Sequence, residues 1–486
     1  MKRRQFIKTL GTAGAALTVV PNVAVSGLGH TPPSDKLNIA GIGIGGKGKV
    51  NLRNMVDQNI VALCDVDYDY AAPVFKEYPK ATKYKDFRVM LEEQKDIDAV
   101  VIATPDHTHT VAADAAMDLG KHVYLQKPLT HSVWESRYLT KLAREKNVVT
   151  QMGNEGHSND TVYEVAEVVQ SGCLGTIREA HVWTNRPIWR QGMPKPPDKV
   201  DVPDTLDWEL FIGPAEMRPY NPEYHPWIWR GWWDYGTGAL GDMGCHLLDV
   251  PNYALKLGAP KAFQASSSLV NTESAPVAEK VTYLFPARKN LPYVALPELE
   301  LTWYDGGFMP ARPFDLPNDA PMSPGGGFMF IGSKATLIAE SYGNNWKVYK
   351  DGKEFTPETK VDLERIPDNK LGGGRHEMHW VSCCKDGDTP ASNFDYSGPF
   401  NEFVVMGNLA VRMQSLQKTL EWDSENMQIT NVGANETLST TKLLPISEDI
   451  VTRSVERQSK QQVEWNALEK SKEWIRHNYH NGWSLG

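Results

Sequence analysis

The chain has 486 residues, 41% of them hydrophobic, and carries 51 Lys and Arg against 60 Asp and Glu, a formal net charge of −9. A balance of that sign gives no general electrostatic hold on nucleic-acid phosphates or anionic membranes, so no nucleic-acid partner is expected. The length suits two domains, because single hydrophobic cores seldom grow past about 250–300 residues.

At the start, adjacent Arg3 and Arg4 precede a small-residue, mildly apolar stretch from Thr9 to Val25, with a cleavage-type sequence at Ala24-Val25-Ser26. This reads as a twin-arginine export signal, and the stretch is too short and too rich in Gly, Ala and Thr for a membrane span. Residues 1–30 are therefore set aside as signal and linker, and a periplasmic or otherwise exported location is expected. Loss of Lys2, Arg3, Arg4 and Lys8 leaves 47 basic side chains against 60 acidic ones. The five cysteines form no C-x-x-C pair and no disulfide framework, which suits a protein that folds before export.

The first folded stretch, Leu37 to Gly46, is an apolar run that feeds into Gly41, Gly43 and Gly46, spaced as G-x-G-x-x-G. It reads as strand, tight turn and helix start. Gly41 permits the sharp turn, Gly43 and Ile44 let the backbone approach a pyrophosphate, and Gly46 lets the next helix pack on the strand. The helix N-terminus then supplies unpaired N–H groups for the phosphates. A second apolar run, Val61 to Cys64, ends in Asp65, placed where a ribose-binding carboxylate belongs, with Asp67 close by. A carboxylate there favours NAD over NADP.

Strand and helix patterns then alternate. Ile97–Ala103 is a strand, Val111–Leu119 a helix, His122–Leu125 a strand, Ser132–Lys146 a helix, and Val148–Met152 the closing strand. Alternation of this kind implies a doubly wound parallel sheet whose ligand lies beyond the strands' carboxyl ends. Two of those ends carry polar groups, Thr104-Pro105 with His107 and His109, and Gln126-Lys127; both are expected to face the cofactor.

Leaving this domain, Asn154, Glu155 and His157 are candidate substrate contacts. A Pro-rich loop spans Pro194–Pro203, and His225–Tyr235 contains four tryptophans and Arg230. Aromatic faces stack on sugar rings, so Trp229, Arg230 and Trp232 are candidate carbohydrate contacts. Next, Asp242, His246 and Asp249 recur at helical spacing, so that Asp242 and His246 project into one cleft. From Ala262 to Leu337 apolar and polar residues alternate between turn clusters, as in an antiparallel sheet. His376 and His379 form an H-x-x-H pattern that lacks the further ligands zinc needs, so no metal is expected. Glu402–Leu420 has helical spacing, and a charged tail after Pro445 contains a helical stretch near Val463–Tyr479.

Taken together, the glycine loop, Cys64-Asp65-Val66-Asp67, Ala103-Thr104-Pro105, Lys127-Pro128 and the D-x-x-x-H helix Gly238–Asp249 resemble the Gfo/Idh/MocA family of glucose-fructose oxidoreductase and inositol dehydrogenase, in its exported bacterial form. The fold expected is α/β, an N-terminal Rossmann sheet followed by a C-terminal α+β domain with a large, mostly antiparallel sheet. Its boundaries are 35–155 for NAD binding, 156–445 for substrate binding and oligomerisation, and 446–486 for the tail. The resemblance implies a homo-oligomer and an NAD-dependent oxidoreductase acting on a sugar hydroxyl. Lys127, His246 and Asp242 would be the catalytic groups, with either Lys127 or His246 moving the proton. Where the family has Glu-Lys-Pro this chain has Gln126-Lys127-Pro128, which removes a negative charge. A redox-neutral, NAD-dependent glycoside-cleaving enzyme and a silent sugar-binding module are the alternatives.

Overall fold

The computed structural model describes residues 35–196, 200–313, 316–368, 370–444 and 460–486. The proposed export signal, residues 1–30, lies outside the described residues.

The first half is the expected parallel sheet. Strands β1 (Asn38–Ile42), β2 (Asn59–Cys64), β3 (Thr82–Tyr84), β4 (Ala99–Ile102), β5 (His122–Leu125) and β6 (Thr150–Met152) stand in the order β3-β2-β1-β4-β5-β6. Helices α1 (Lys47–Asn54), α2 (Tyr68–Glu77), α3 (Phe87–Glu93), α4 (His109–Asp118) and α5 (Val133–Lys146) make the crossovers. Every residue of β4 is buried, as a strand covered on both faces requires. Sequence sets the helix starts: Asp67 caps α2 through the Asp69 and Tyr70 N–H groups, and Ser132 with Glu135 forms a capping box on α5. The strand order reverses between β1 and β4, which opens a crevice at their carboxyl ends.

Beyond β6 come α6 (Asp160–Gln170), β7 (Ile177–Thr184), α7 (Gly238–Leu247) and α8 (Asp249–Leu255). The second sheet continues with β8 (Ala262–Ser267), β9 (Glu279–Phe285), β10 (Leu299–Tyr304), β11 (Gly326–Gly332), β12 (Thr336–Glu340), β13 (Lys347–Lys350) and β14 (Lys353–Phe355). After helices α9 (Arg375–Asp386) and α10 (Phe394–Met413), β15 (Leu420–Asp423) and β16 (Gln428–Ile429) complete it. Its ten strands run β14-β13-β12-β11-β7-β10-β9-β8-β15-β16, antiparallel except where β10 joins β7. Burial in β9 alternates, so one face meets α10, where Phe403 packs against Tyr283 and Phe285. All five cysteines are free, and no helix among the described residues is long and apolar enough to cross a membrane.

Beyond the division at residue 155 the chain returns to the first sheet late. Met378, Trp380 and Val381 of α9 share a core with Ile39, Leu63 and Tyr124. On α10, the Asn401 carboxamide bonds the Leu129 N–H and the Thr130 carbonyl and hydroxyl. A parallel sheet needs cover on both faces, and residues distant in sequence provide part of it. The tail, expected as a helix from Val463, begins as strand β18 (Lys460–Asn466) paired with β17 (Thr437–Leu443); only then does α11 (Ala467–Ile475) start, capped by Asn466. The edge offered by β17 overrides local helix propensity.

Candidate functional site

The carboxyl ends of β1, β2, β4 and β5 meet helix α7 around a cavity of about 540 Å³. On the β1 side Gly43 has φ +75°, and its N–H bonds the Cys64 carbonyl at 2.9 Å. A Cβ on Gly43 would stand 2.7 Å from the Ala103 carbonyl oxygen, so this loop presses against the crest after β4 with no room for a side chain. Close helix packing, expected of Gly46, belongs instead to Gly48, whose Cβ would meet the Gly43 carbonyl at 2.3 Å. Gly46 is the residue before α1, with no side-chain cap there, so the first N–H groups of α1 remain for an anion. Gly41 and Ile44 lie buried behind the cavity wall; Gly43 and Gly46 line it.

Asp65 lines the cavity as expected and also builds it. One carboxylate oxygen accepts the Ile44 and Gly45 N–H groups at 2.8 and 3.0 Å, and the other accepts the Asp67 N–H. Burial, partly offset by those bonds, raises its pKa to about 6. Asp65→Asn keeps an acceptor and removes the charge, whereas Asp65→Ala also releases the loop. In fluorescence titrations Asn is expected to narrow discrimination against NADP with a modest loss of NAD affinity, and Ala to weaken both cofactors. Unchanged affinities in the two variants would make Asp65 a loop fastener alone.

At the far end of the cavity four polar side chains converge. Lys127 Nζ donates to Asp242 Oδ1 and to the Asp242 carbonyl, both at 2.8 Å, while Arg230 Nε reaches the same Oδ1 at 3.2 Å. Burial would raise the Asp242 carboxyl, but the Lys127 and Arg230 charges overcome it and hold the group well below the usual carboxylate range. The Arg230 guanidinium lies 4.2 and 4.3 Å from the Trp227 and Trp229 ring centres. One helical turn after Asp242 comes His246, whose Nδ1 is buried without a hydrogen-bond partner and whose ring meets Tyr342 edge-on at 5.4 Å. Burial first, and then the Lys127 charge, lower its pKa to about 3, so the imidazole is neutral across the physiological range.

Gln126 does not pair with the Lys127 ammonium; its Oε1 accepts the Lys127 backbone N–H at 3.3 Å. Its Nε2 donates to Asn51 Oδ1, and Asn51 in turn donates to Glu377 and Glu155. The counter-charge of Lys127 is Asp242, so a neutral residue at 126 leaves the ammonium anchored. Glu155 lines the cavity and pairs with Lys47 at 2.6 Å. Thr104, Pro105 and Trp229 line it too.

Five expected contacts are turned away from the cavity. The His107 ring lies between the Phe211 and Tyr235 carbonyls, inside an aromatic cluster. His109 bridges the Thr104 and Pro128 carbonyls at 2.9 and 2.8 Å, tying together the two loops that face the cavity. Asn154 accepts the Ser392 hydroxyl, His157 pairs with Asp249 at 2.8 Å, and Trp232 donates to the Glu223 carbonyl. Each is almost fully buried. Their backbones stand at strand ends and in the aromatic run, but backbone carbonyls claim the His107, His109 and Trp232 side chains, and the Ser392 and Asp249 side chains claim Asn154 and His157. Asp249, which also accepts the Tyr396 hydroxyl, is likewise a packing anchor. Near the H-x-x-H pattern, His376 bonds Ser158 and the Met152 carbonyl, and no group of three or more His, Cys, Asp or Glu among the described residues is placed to hold a metal.

Other participants escaped the sequence reading. Asp106 accepts the Thr237 N–H and hydroxyl at 3.1 and 2.7 Å, fastening the start of α7 to the crest after β4; burial raises its pKa to about 7. Lys47, immediately after Gly46, could have been found as a cation at a phosphate-binding helix start. Tyr342 could not: it arrives from a turn between β12 and β13 with φ +63°, and nothing local ties it to His246.

Residues 37–154 match the Gfo/Idh/MocA family described as an oxidoreductase family with an NAD-binding Rossmann fold, and residues 158–285 match its C-terminal alpha/beta domain. D-glucoside 3-dehydrogenase of Escherichia coli K12 is 27% identical over 211 residues, 43% of this chain and 50% of that protein. A glycosyl hydrolase family 109 protein of Stenotrophomonas maltophilia is 37% identical over 133 residues, 25% of this chain and 28% of that protein. The match thus spans half or less of these relatives' own length. Among solved structures, the WlbA dehydrogenase of Bordetella pertussis in complex with NADH and UDP-GlcNAcA superposes with a TM-score of 0.54 at 15% identity, covering 80% of this chain and 99% of that one. At that identity the likeness is one of fold.

Proposed function

The chain belongs to the Gfo/Idh/MocA family of NAD-binding oxidoreductases, and on that premise we propose that it oxidises a hydroxyl group of a carbohydrate. The observation that carries the proposal is the meeting of neutral His246 with the Lys127–Asp242–Arg230 cluster in the same cavity as the glycine loop. The residues present fit NAD: the Gly43 approach leaves no room for a side chain, the N-terminus of α1 offers N–H groups to the pyrophosphate, and Asp65 stands at the end of β2. When bound, that group supplies the hydride acceptor.

The chain's own residues handle the proton. Lys127, anchored by Asp242, donates a hydrogen bond to the reacting oxygen and stabilises its developing negative charge. His246, neutral and with an unpartnered Nδ1, accepts the hydroxyl proton as general base, the Asp242 charge favouring the imidazolium that burial disfavours. Trp229 and Trp227 offer apolar faces suited to a sugar ring, and Arg230 offers donors to its hydroxyls. A sugar substrate is also in keeping with the D-glucoside 3-dehydrogenase relative.

A second reading, transient oxidation that ends in glycoside cleavage, is favoured by the relative from the glycosyl hydrolase family. A panel of free sugars and aryl glycosides, with reduced cofactor and released aglycone followed separately, tests both. Accumulating reduced cofactor supports net oxidation and aglycone release without it supports cleavage; neither signal on any sugar overturns the proposal.

The Arg3-Arg4 leader supports one extension, export with NAD already held as a resident group. Mass spectrometry of the denatured, exported protein is expected to find about one dinucleotide per chain, as a folded passenger carrying its cofactor would show. An apo-enzyme active only with added NAD would refute residence.

A further inference from the structure

Behind the start of α7 lies a second cavity of about 260 Å³, which shares no lining residue with the first. Its walls come from the loop before α5, the Trp233–Asp234 turn, α10, and the segment from Glu473 to His480. Arg412 of α10 reaches into it. The guanidinium lies 3.9 Å from the Trp474 ring centre and 5.1 Å from that of Trp233, and so is largely removed from water. Burial lowers its pKa.

Among the described residues Arg412 has no hydrogen-bond acceptor and no carboxylate within salt-bridge distance. Four carboxylates line the cavity; Glu216 is exposed to solvent, and the other three have partners elsewhere. Asp234 pairs with Arg218, Glu473 with Lys470 at 2.7 Å, and Glu135 accepts the Tyr479 hydroxyl and the Ser132 N–H. A planar fork of five donors that packs against two indoles and meets no protein acceptor is open to an acceptor from the cavity. Beside it, His131 and His477 stack edge-to-face at 4.5 Å. Burial first, with the Arg412 charge and neighbouring imidazoles adding to it, lowers the pKa of both rings. Arg412 is thus the cation at this wall, with the His477 ring as a second donor, since neutral His131 spends its single N–H on the Gly236 carbonyl.

We propose that this cavity is a second ligand site, for a small oxyanion of the sulfate, phosphate or carboxylate class, held by the Arg412 guanidinium and flanked by His131 and His477. The fork of Arg412 matches such an anion's paired oxygens. The site also touches the catalytic helix: His131 Nε2 contacts the Gly236 carbonyl at 3.2 Å, and Asn408, one turn before Arg412, donates to the Thr237 carbonyl at 3.0 Å. An anion seated here lies against the segment that leads into Asp242 and His246.

Calorimetric titration of NAD-saturated full-length protein tests this, with sulfate in one arm and acetate in the other, ionic strength held constant with chloride. Saturating NAD keeps the probes off the glycine loop. Wild type is expected to bind at least one of the two probes at a single site, and the arm that binds assigns the anion as tetrahedral or carboxylate. Arg412→Gln is expected to weaken that binding by roughly ten-fold or more, since charge-assisted hydrogen bonds are the strong ones. His477→Ala, at the edge of the cavity, should weaken it several-fold, and it keeps the test valid if Arg412→Gln does not fold. Binding of neither probe to wild type, or affinity unchanged in the folded variants, overturns the assignment.

Discussion

Lys127→Ala and His246→Ala are each expected to lower kcat by roughly 100-fold or more, the usual scale for a general acid–base group, while NAD stays bound. The two losses should differ in kind. Without Lys127, the Asp242 carboxylate keeps only Arg230 at 3.2 Å, and His246 loses the positive charge that is second only to burial in depressing its pKa. In the wild type His246 remains unprotonated down to about pH 3, so its protonation causes no acid-side loss of activity between pH 5 and 8. Removing Lys127 moves the imidazole upward, and an acid limb in kcat/KM should shift toward neutral pH. His246→Ala should show no such limb and a low, flat rate. Steady-state kinetics across pH, with cofactor content measured alongside, separates the two. Near-normal turnover in both variants would mean that the Lys127–Asp242–His246 cluster binds substrate without moving its proton.

The second large effect is expected at the glycine loop. In Gly43→Ala the new Cβ meets the Ala103 carbonyl carbon and oxygen and the Thr104 nitrogen at 2.7–2.8 Å, all backbone atoms with no rotamer to retreat to. The residue would also have to keep φ +75°, a region costly for any side chain. Strain of about 3 kcal/mol from the two sources together corresponds to a ~100-fold loss of NAD affinity if the loop moves off the β4 crest. Gly46→Ala is the matched control, because its Cβ grazes only the Tyr70 hydroxyl at 3.2 Å and φ there is −102°. Titration with NAD and thermal unfolding of both variants give the comparison. Equal damage from the two substitutions would show that the close approach at Gly43 is not what shapes the cradle.

Some of this site was legible because the chemistry is local. The glycine spacing, a carboxylate at the end of the second strand, and Asp242 and His246 four residues apart each follow from how a strand turns into a helix or how a helix presents one face. Lys127 lines the cavity for the same reason: a strand end in a doubly wound sheet faces the crevice. His107, His109, Asn154, His157 and Trp232 were misread because proximity in sequence to a strand end fixes where the backbone is, not which way a side chain turns. His107, Asn154 and His157 found partners far along the chain, and His109 and Trp232 found backbone carbonyls on nearby loops.

The sequence by itself determined the alternating strand and helix order of the first domain, its NAD-binding glycine loop, and the Asp242 and His246 pair on one face of a glycine-rich helix, all encoded within a few turns of chain. Only the tertiary structure decided the partners. It set Asp242 between Lys127 and Arg230, supplied the Gln126–Asn51–Glu377 chain, brought Tyr342 over His246 from a distant turn, and turned the tail into a strand with a helix behind it. The physical reason is that the burial and pairing of a charged or aromatic group depend on which elements close around it. That closure joins residues separated by up to hundreds of positions, and no local pattern records it.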